Sequence, residues 1–516
     1  MMENKLVSGL ERNEEFRENS TETLNGAYAY KSTHSALVDL FGIIGAIRDR
    51  NEDEVEELFE KAVKEDMLLA MKMSFYARNV RGGLGERKVP RTIWRWMAYN
   101  YPEVMRKNIG LVSYFGRWDD LYCFIGSPVE EDAWNLIRNQ ISQDINNMNQ
   151  HKPISLMAKW LKSVNTSSEE SNALGRLTAK KLGVSEKTYR KTLSAMRKYI
   201  DVVEVKMSEN NFSSINYPAV PSRAMNIYRT AFSNKDRERF EEYKKQLVKG
   251  ETKINSGTLY PYDVLDKYHL IYDYWYNKKM VCDAYDEILE QQWKALPNYV
   301  NGEHNVLVMA DTSGSMFGRP IETSLGLAIY FAERNRGAFH NKFMTFSSVP
   351  HFITIKGDSL KEKVESFPVI VDNTNVEAAM EEILNVAVDN NVPAEDIPEA
   401  LVIISDMEFD IASENNMIDN YWVNGGEFVR KTPQKSYQKI FEKKFAKAGY
   451  KMPTIVYWNV NSRHNVFHAY ADANGVMMAS GSSPSVFKAI MDNIGKTPFE
   501  AMVGVLNDSV YDCVRV

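Results

Sequence analysis

Val306-Leu-Val-Met-Ala310 runs without a break into Asp311-Thr-Ser-Gly-Ser315. Consecutive apolar residues bounded by turn formers read as a buried strand. The turn that follows sets one carboxylate and two hydroxyls side by side at the strand's end. Two later pieces extend the pattern. Ala400-Leu-Val-Ile-Ile-Ser405 is a second buried-strand run leading into Asp406, and Thr374 sits in Asp372-Asn-Thr-Asn375 just ahead of a helical stretch. Around them, β-rich runs at 304–310, 340–346, 351–355, 399–405, 453–460 and 475–479 alternate with amphipathic helical patterns at 320–336, 375–390, 433–448 and 483–494. That alternation predicts a doubly wound, Rossmann-type α/β domain over 301–516. Asp311 and Asp406 then fall at carboxyl ends of strands, the edge where open α/β sheets bind ligands.

Oxygen ligands of this kind suit Mg²⁺, with Mn²⁺ or Ca²⁺ as alternatives, and suit soft metals poorly. Asp311, Ser313, Ser315, Thr374 and Asp406 are the candidate metal ligands. Direct ligation through neutral hydroxyls leaves a cation under-neutralised, so an outside carboxylate or phosphate becomes a favoured further ligand. Enzymatic readings of the same residues fail on chemistry. A phosphatase using Asp311 as nucleophile needs a second acid two residues on, and Ser313 stands there. Gly495-Lys-Thr497 lacks the upstream glycine of a phosphate-binding loop and follows a helix. The eight histidines form no ligand cluster. The expectation is a protein without catalytic activity.

Asp311-Thr-Ser-Gly-Ser-Met316, Asn373-Thr-Asn375 and Ile404-Ser-Asp406 resemble the metal-ion-dependent adhesion site of von Willebrand factor A domains. The resemblance spans roughly 301–505, and the family's five ligand positions match Asp311, Ser313, Ser315, Thr374 and Asp406. It implies one bound divalent metal that grips an acidic residue of a protein partner. The second loop departs from the frequent Gly-Gly-Thr and reads Asp372-Asn373-Thr374. Glu408 and Asp410 add acid nearby and read as residues of a solvated loop.

At 516 residues the chain exceeds one ordinary core. Composition is 44% hydrophobic and 26% charged, with a formal net charge of −6, which excludes a protein basic all over but not a local basic face. Three dispersed cysteines, Cys123, Cys282 and Cys513, give no disulfide framework and fit a reducing compartment. The start of the chain lacks the apolar core of a signal peptide, and Leu37–Ile47 is too short to span a bilayer. A cytoplasmic monomer is expected.

Residues 1–25 read as a flexible tail and 26–250 as a helical-repeat (HEAT-like) domain, forming a ring or an arc. Residues 251–300, rich in Tyr and Trp, read as a helical connector. Within the helical half, 72–110 and 151–200 are strongly basic. Arg78, Arg81, Arg87, Lys88, Arg91, Lys159, Lys180, Arg190, Lys191 and Arg197 are candidate phosphate contacts for RNA, and Trp94, Trp96, Trp118 and Trp160 candidate stacking platforms. Asn79–Arg87 is a glycine-rich loop open to two readings, a phosphate cradle or a structural turn. In Gly116-Arg-Trp-Asp-Asp-Leu121, Arg117 is expected to pair internally with Asp119 or Asp120.

A basic helical region followed by an A-type domain resembles the Ro autoantigen class, the TROVE-type RNA-binding proteins. Arg81-Gly-Gly-Leu-Gly-Glu-Arg87, Gly116–Leu121 and Lys159-Trp-Leu-Lys-Ser163 are similar to a Ro-like branch of bacteria, phages and plants. The resemblance implies a non-catalytic scaffold for small or single-stranded RNA, a ribonucleoprotein component. The alternative is a metal-dependent protein-interaction scaffold without RNA.

Overall fold

β1 (Ser20–Glu22) pairs antiparallel with β2 (Tyr28–Tyr30), and β3 (Ile271–Asp273) with β4 (Lys279–Val281). The structure, a computed structural model, describes residues 14, 18–273, 279–300, 305–347, 349–368, 375–409, 421–422, 428–429 and 437–516. The central sheet is built from β5 (Val306–Ala310), β6 (Lys342–Thr345), β7 (Phe352–Thr354) and β8 (Ala400–Ser405). It is completed, after the small pair β9 (Tyr421–Trp422) and β10 (Phe428–Val429), by β11 (Thr454–Asn459) and β12 (Val476–Ser480). Its order is β12-β11-β8-β5-β6-β7; β6 and β7 pair antiparallel and the other neighbours pair parallel.

Every residue of β5, β8 and β12 is buried. Unbroken apolar runs are what strands covered on both faces require. Leu307, Met309, Leu401, Ile403 and Ile455 pack with Phe441 and Phe445 of the helix Tyr437–Lys447 and with Met380 of the helix Val376–Asp389. The helix Arg319–Arg334 buries a long apolar face, and its Phe331 stacks on Phe487 at 4.2 Å. The six strands lie within one or two residues of the expected runs. The coarse architecture, a helical region and an α/β sheet, is therefore as the sequence reads.

The chain divides into two compact units, and the boundaries differ from the expected ones. The α/β unit takes in the described parts of Met1–Arg50, Tyr260–Tyr285 and Asn298–Asn507. The helical unit comprises Asn51–Leu259, Asp286–Pro297 and Asp508–Val516. Residues 26–50 thus belong with the sheet. Tyr30 bridges to Phe467, and the Gly45 N–H donates to Ser480 Oγ at 3.0 Å. The buried Arg50 side chain donates to the Ser462 carbonyl at 2.9 Å and to Asn465 Oδ1 at 2.6 Å. The helix Ala36–Ile43 carries apolar residues almost all round because it is buried. The described end of the expected tail is also ordered, with Thr23 Oγ1 donating to the Phe409 carbonyl.

The expected helical connector over 251–300 is instead divided between the units and includes the β3–β4 hairpin; Tyr274, Trp275 and Tyr276 lie outside the described residues. The final residues belong with the helices. Tyr511 stacks on Phe115 at 5.5 Å, and the Arg515 N–H donates to Asn108 Oδ1 at 2.9 Å. Within the helical unit, Phe75, Trp94 and Phe115 join the helices Met67–Arg78, Lys88–Asn100 and Pro102–Phe115. Tyr217, Phe232, Phe240 and Tyr243 centre a second core.

Candidate metal centre and basic surface

β5 and β8 are neighbours in the sheet although the chain makes β6 and β7 between them. Connections leave these two strands toward opposite sheet edges, so a crevice opens at their carboxyl ends. Ala310 is in register with Ile404, and the Asp311 N–H donates to the Ile404 carbonyl at 3.0 Å. This register brings Asp311 and Asp406 to the same place.

Asp311 is fully buried. Its Oδ1 accepts the Ser313 N–H at 2.8 Å, and its Oδ2 accepts the Ser405 hydroxyl at 2.6 Å. The short 3₁₀ turn Gly314–Met316 folds the loop so that Ser313 Oγ and Ser315 Oγ stand 3.0 Å apart. Asp406 Oδ1 accepts the Glu408 N–H at 3.3 Å. Asp406 Oδ2 is buried and makes no well-formed hydrogen bond, with Arg463 Nη2 3.9 Å away. Arg463 also donates to the Ser315 carbonyl. Arg50 holds the preceding Ser462 and so steadies the loop that carries Arg463. Met407 has φ of +68°, an uncommon conformation for a non-glycine residue. Its N–H is held by Ser405 Oγ at 3.0 Å and its carbonyl by His468 Nε2 at 3.1 Å.

Burial pushes the Asp311 carboxyl up to about 6, with the nearby Asp406 carboxylate adding to the rise. Burial also raises Asp406, opposed by the Ser315 hydroxyl and Arg463. Two carboxylates and two hydroxyls thus converge with too little positive charge between them, and one buried oxygen is left over. A hard divalent cation fits that donor set. Four of the five expected ligands come together; Thr374 lies outside the described residues, as do Asp372, Asn373 and Asp410. Among the described residues no group of three or more His, Cys, Asp and Glu side chains could hold a metal, so such a site depends on its hydroxyls.

Glu408 corrects an expectation. It is buried rather than solvated, and its Oε2 accepts the Leu24 N–H at 2.7 Å. Residues 23–25 cover this loop, which nothing in the Glu408 neighbourhood of the sequence signals.

Three of the ten expected RNA contacts are spent inside the helical unit. Arg78 is 1% exposed and pairs with Asp120 at 2.7 Å. Arg91 pairs with Asp120 at 2.5 Å. Arg197 donates to the Ala158 and Leu161 carbonyls and to Ser163 Oγ. Arg87 stays half-exposed beside Asp119, and Arg81 is exposed while donating to the Tyr114 carbonyl. Lys88, Lys180, Arg190 and Lys191 are exposed and Lys159 is half-buried. Lys159, Arg190 and Arg197 line a cavity of about 600 Å³ together with Trp160. Trp94 is core and donates to Ser74 Oγ at 3.0 Å. Asn79–Arg87 is a structural turn: the N–H groups of Gly83 and Gly85 return to the Asn79 carbonyl, and those of Leu84 and Glu86 to Tyr76 and Ala77. A Cβ on Gly83 would stand 2.1 Å from the Tyr76 carbonyl oxygen. As expected, Arg117 pairs with Asp119, at 2.9 and 2.7 Å.

Comparison with known proteins gives domains rather than activities. Residues 305–508 match a domain of unknown function, DUF7788. An uncharacterised protein of Acanthamoeba polyphaga mimivirus, L728, is 25% identical over 545 residues, covering 96% of this chain and 89% of that protein. Residues 23–133 and 132–303 match a second domain of unknown function. These matches span more than half of the chain, which therefore belongs to the DUF2828 family.

Proposed function

We propose that the protein is a non-catalytic RNA-binding scaffold of Ro-like type. In this reading its α/β unit is a von Willebrand A-like module holding one divalent metal, and its helices form a TROVE-like repeat. The observation that carries the metal reading is the convergence of Asp311, Ser313, Ser315 and Asp406 at the β5–β8 crevice, with Asp406 Oδ2 lacking a good partner. Mg²⁺, or Mn²⁺ or Ca²⁺, would take Ser313 and Ser315 directly, with Thr374 as the fifth position, and the carboxylates directly or through metal-bound water. Arg463 stands where an oxyanion on the metal would meet a second positive group. No step of bond making is required of this set.

The RNA reading is supported by the exposed Arg81, Lys88, Lys180, Arg190 and Lys191 and by the cavity beside Trp160. Phosphate contacts release counterions, so bound RNA should be lost with salt. Purification at low salt followed by sequencing of retained nucleic acid tests this directly. Protein free of nucleic acid that also fails to shift single-stranded RNA at low salt would overturn it. The second reading is a metal-dependent protein-interaction scaffold. It is favoured by Phe317, 54% exposed two residues beyond Ser315, which offers apolar contact to a partner whose carboxylate meets the metal.

A further inference from the structure

The turn Arg117-Trp-Asp-Asp120 gathers more cations than its two acids can use. Asp119 and Asp120 are buried. Asp120 is matched by Arg78 at 2.7 Å and Arg91 at 2.5 Å. Asp119 is closed by the Arg117 fork, whose Nε and Nη2 reach its two oxygens at 2.9 and 2.7 Å. Three more cations crowd the same carboxylate without reaching it well: Arg91 Nη2, already held by Asp120, stops at 3.4 Å, Arg87 Nη2 at 3.5 Å and Lys162 Nζ at 3.6 Å. Those separations are at or beyond the limit of a useful hydrogen bond. None of these cations has an ion pair with a third carboxylate among the described residues.

We infer that Arg87, Arg117 and Lys162 form a seat for a phosphate group on the helical unit. Arg87 is 50% exposed and Lys162 31%, so both can turn toward a ligand from solvent. Arg117 cannot wander: its guanidinium lies 3.9 Å over the Trp160 ring. A phosphate supplies several acceptor oxygens and one or two negative charges, which suits forked guanidiniums and an ammonium left over from one carboxylate. The Arg87 guanidinium is already pushed down to about 10, by burial first and then by Arg117 and Arg91. An anion would relieve that repulsion. The seat is independent of the metal site, and its phosphate can be free or part of an RNA backbone; only the latter rests on the RNA reading.

The test uses the full-length protein with inorganic phosphate as the probe, against chloride at matched ionic strength, read by thermal shift and calorimetry. R87A/K162A is the test variant; it leaves the Arg78, Arg91 and Arg117 pairs in place. Lys245→Ala, exposed on another helix, is the control. Phosphate should raise the melting temperature of the native protein and of K245A, and bind R87A/K162A about tenfold or more weakly. A phosphate effect no larger than that of chloride, or one unchanged in R87A/K162A, overturns the seat. Single-stranded RNA separates the sources. If phosphate binds and RNA does not, the seat stands for a free phosphate compound and the RNA reading falls. If RNA binds both proteins alike and phosphate binds neither, the RNA reading stands and the seat falls.

Discussion

The Ser405 hydroxyl donates a 2.6 Å hydrogen bond to Asp311 Oδ2, joining the ends of β8 and β5 across the crevice. Ser405 Oγ in turn accepts the Met407 N–H, so one hydroxyl holds both the Asp311 carboxylate and the backbone that turns away after Asp406. Ser405→Ala should destabilise the α/β unit by about 1–3 kcal/mol, since it strips two buried polar groups of a partner. It should also weaken divalent-metal binding by leaving Asp311 less fixed. Urea unfolding and metal titration check both effects; unchanged stability would mean that the bond is not a support of the site.

Arg463 and a metal would repel each other until an anion arrives. Arg463→Ala should therefore strengthen metal binding in the absence of an anionic ligand, by about threefold to tenfold for one partly screened charge at this range. The same change should weaken capture of an acidic ligand on the metal. Calorimetric titration of Mn²⁺ with and without acetate separates the two; a loss of metal affinity without anion would contradict this role.

Two buried groups give pH effects of opposite sign. Burial holds His468 down at about 4, below the ordinary value of about 6.5. The unfolded chain therefore takes up a proton first, and this contribution is lost as pH falls from about 6.5 to 4, to a total of about 3 kcal/mol. Asp311, raised to about 6, acts the other way: in metal-free protein its contribution is full below about 4 and is lost as pH rises through 6. A bound metal, which requires the deprotonated carboxylate, should remove the Asp311 effect and leave the acid limb of His468. Stability measured from pH 4 to 8 with and without Mg²⁺ shows whether the two limbs separate this way.

Gly45 approaches the backbone of Gly481 so closely that a Cβ would lie 2.7 Å from its Cα. Gly45→Ala should cost about 1–3 kcal/mol by forcing two backbones apart. The loss should appear in unfolding of the α/β unit, because residues up to Arg50 pack there. A neutral substitution would contradict this close packing of the early chain on the sheet.

The sheet was legible because its strands are unbroken apolar runs with turn formers at their ends, as in Val306–Ala310 and Ala400–Ser405. Placing Asp311 and Asp406 together needed only the rule that α/β crevices open at strand ends. The helix Ala36–Ile43 was harder, since an all-round apolar helix shows burial but not against what. Counting basic residues misled at Arg78 and Arg91. Asp119 and Asp120 are few in number, yet being buried they claim the nearest guanidiniums. Arg197 shows the same limit, because its partners are two backbone carbonyls and a serine hydroxyl that no charge count registers.

Calorimetric titration of Mg²⁺ and Mn²⁺ into the native protein and Asp311→Ala tests the central claim most directly. One divalent ion should bind the native protein, and Asp311→Ala should abolish binding while circular dichroism shows the fold intact. Metal retained in Asp311→Ala, or none bound by the native protein, would contradict a metal centre at the β5–β8 crevice.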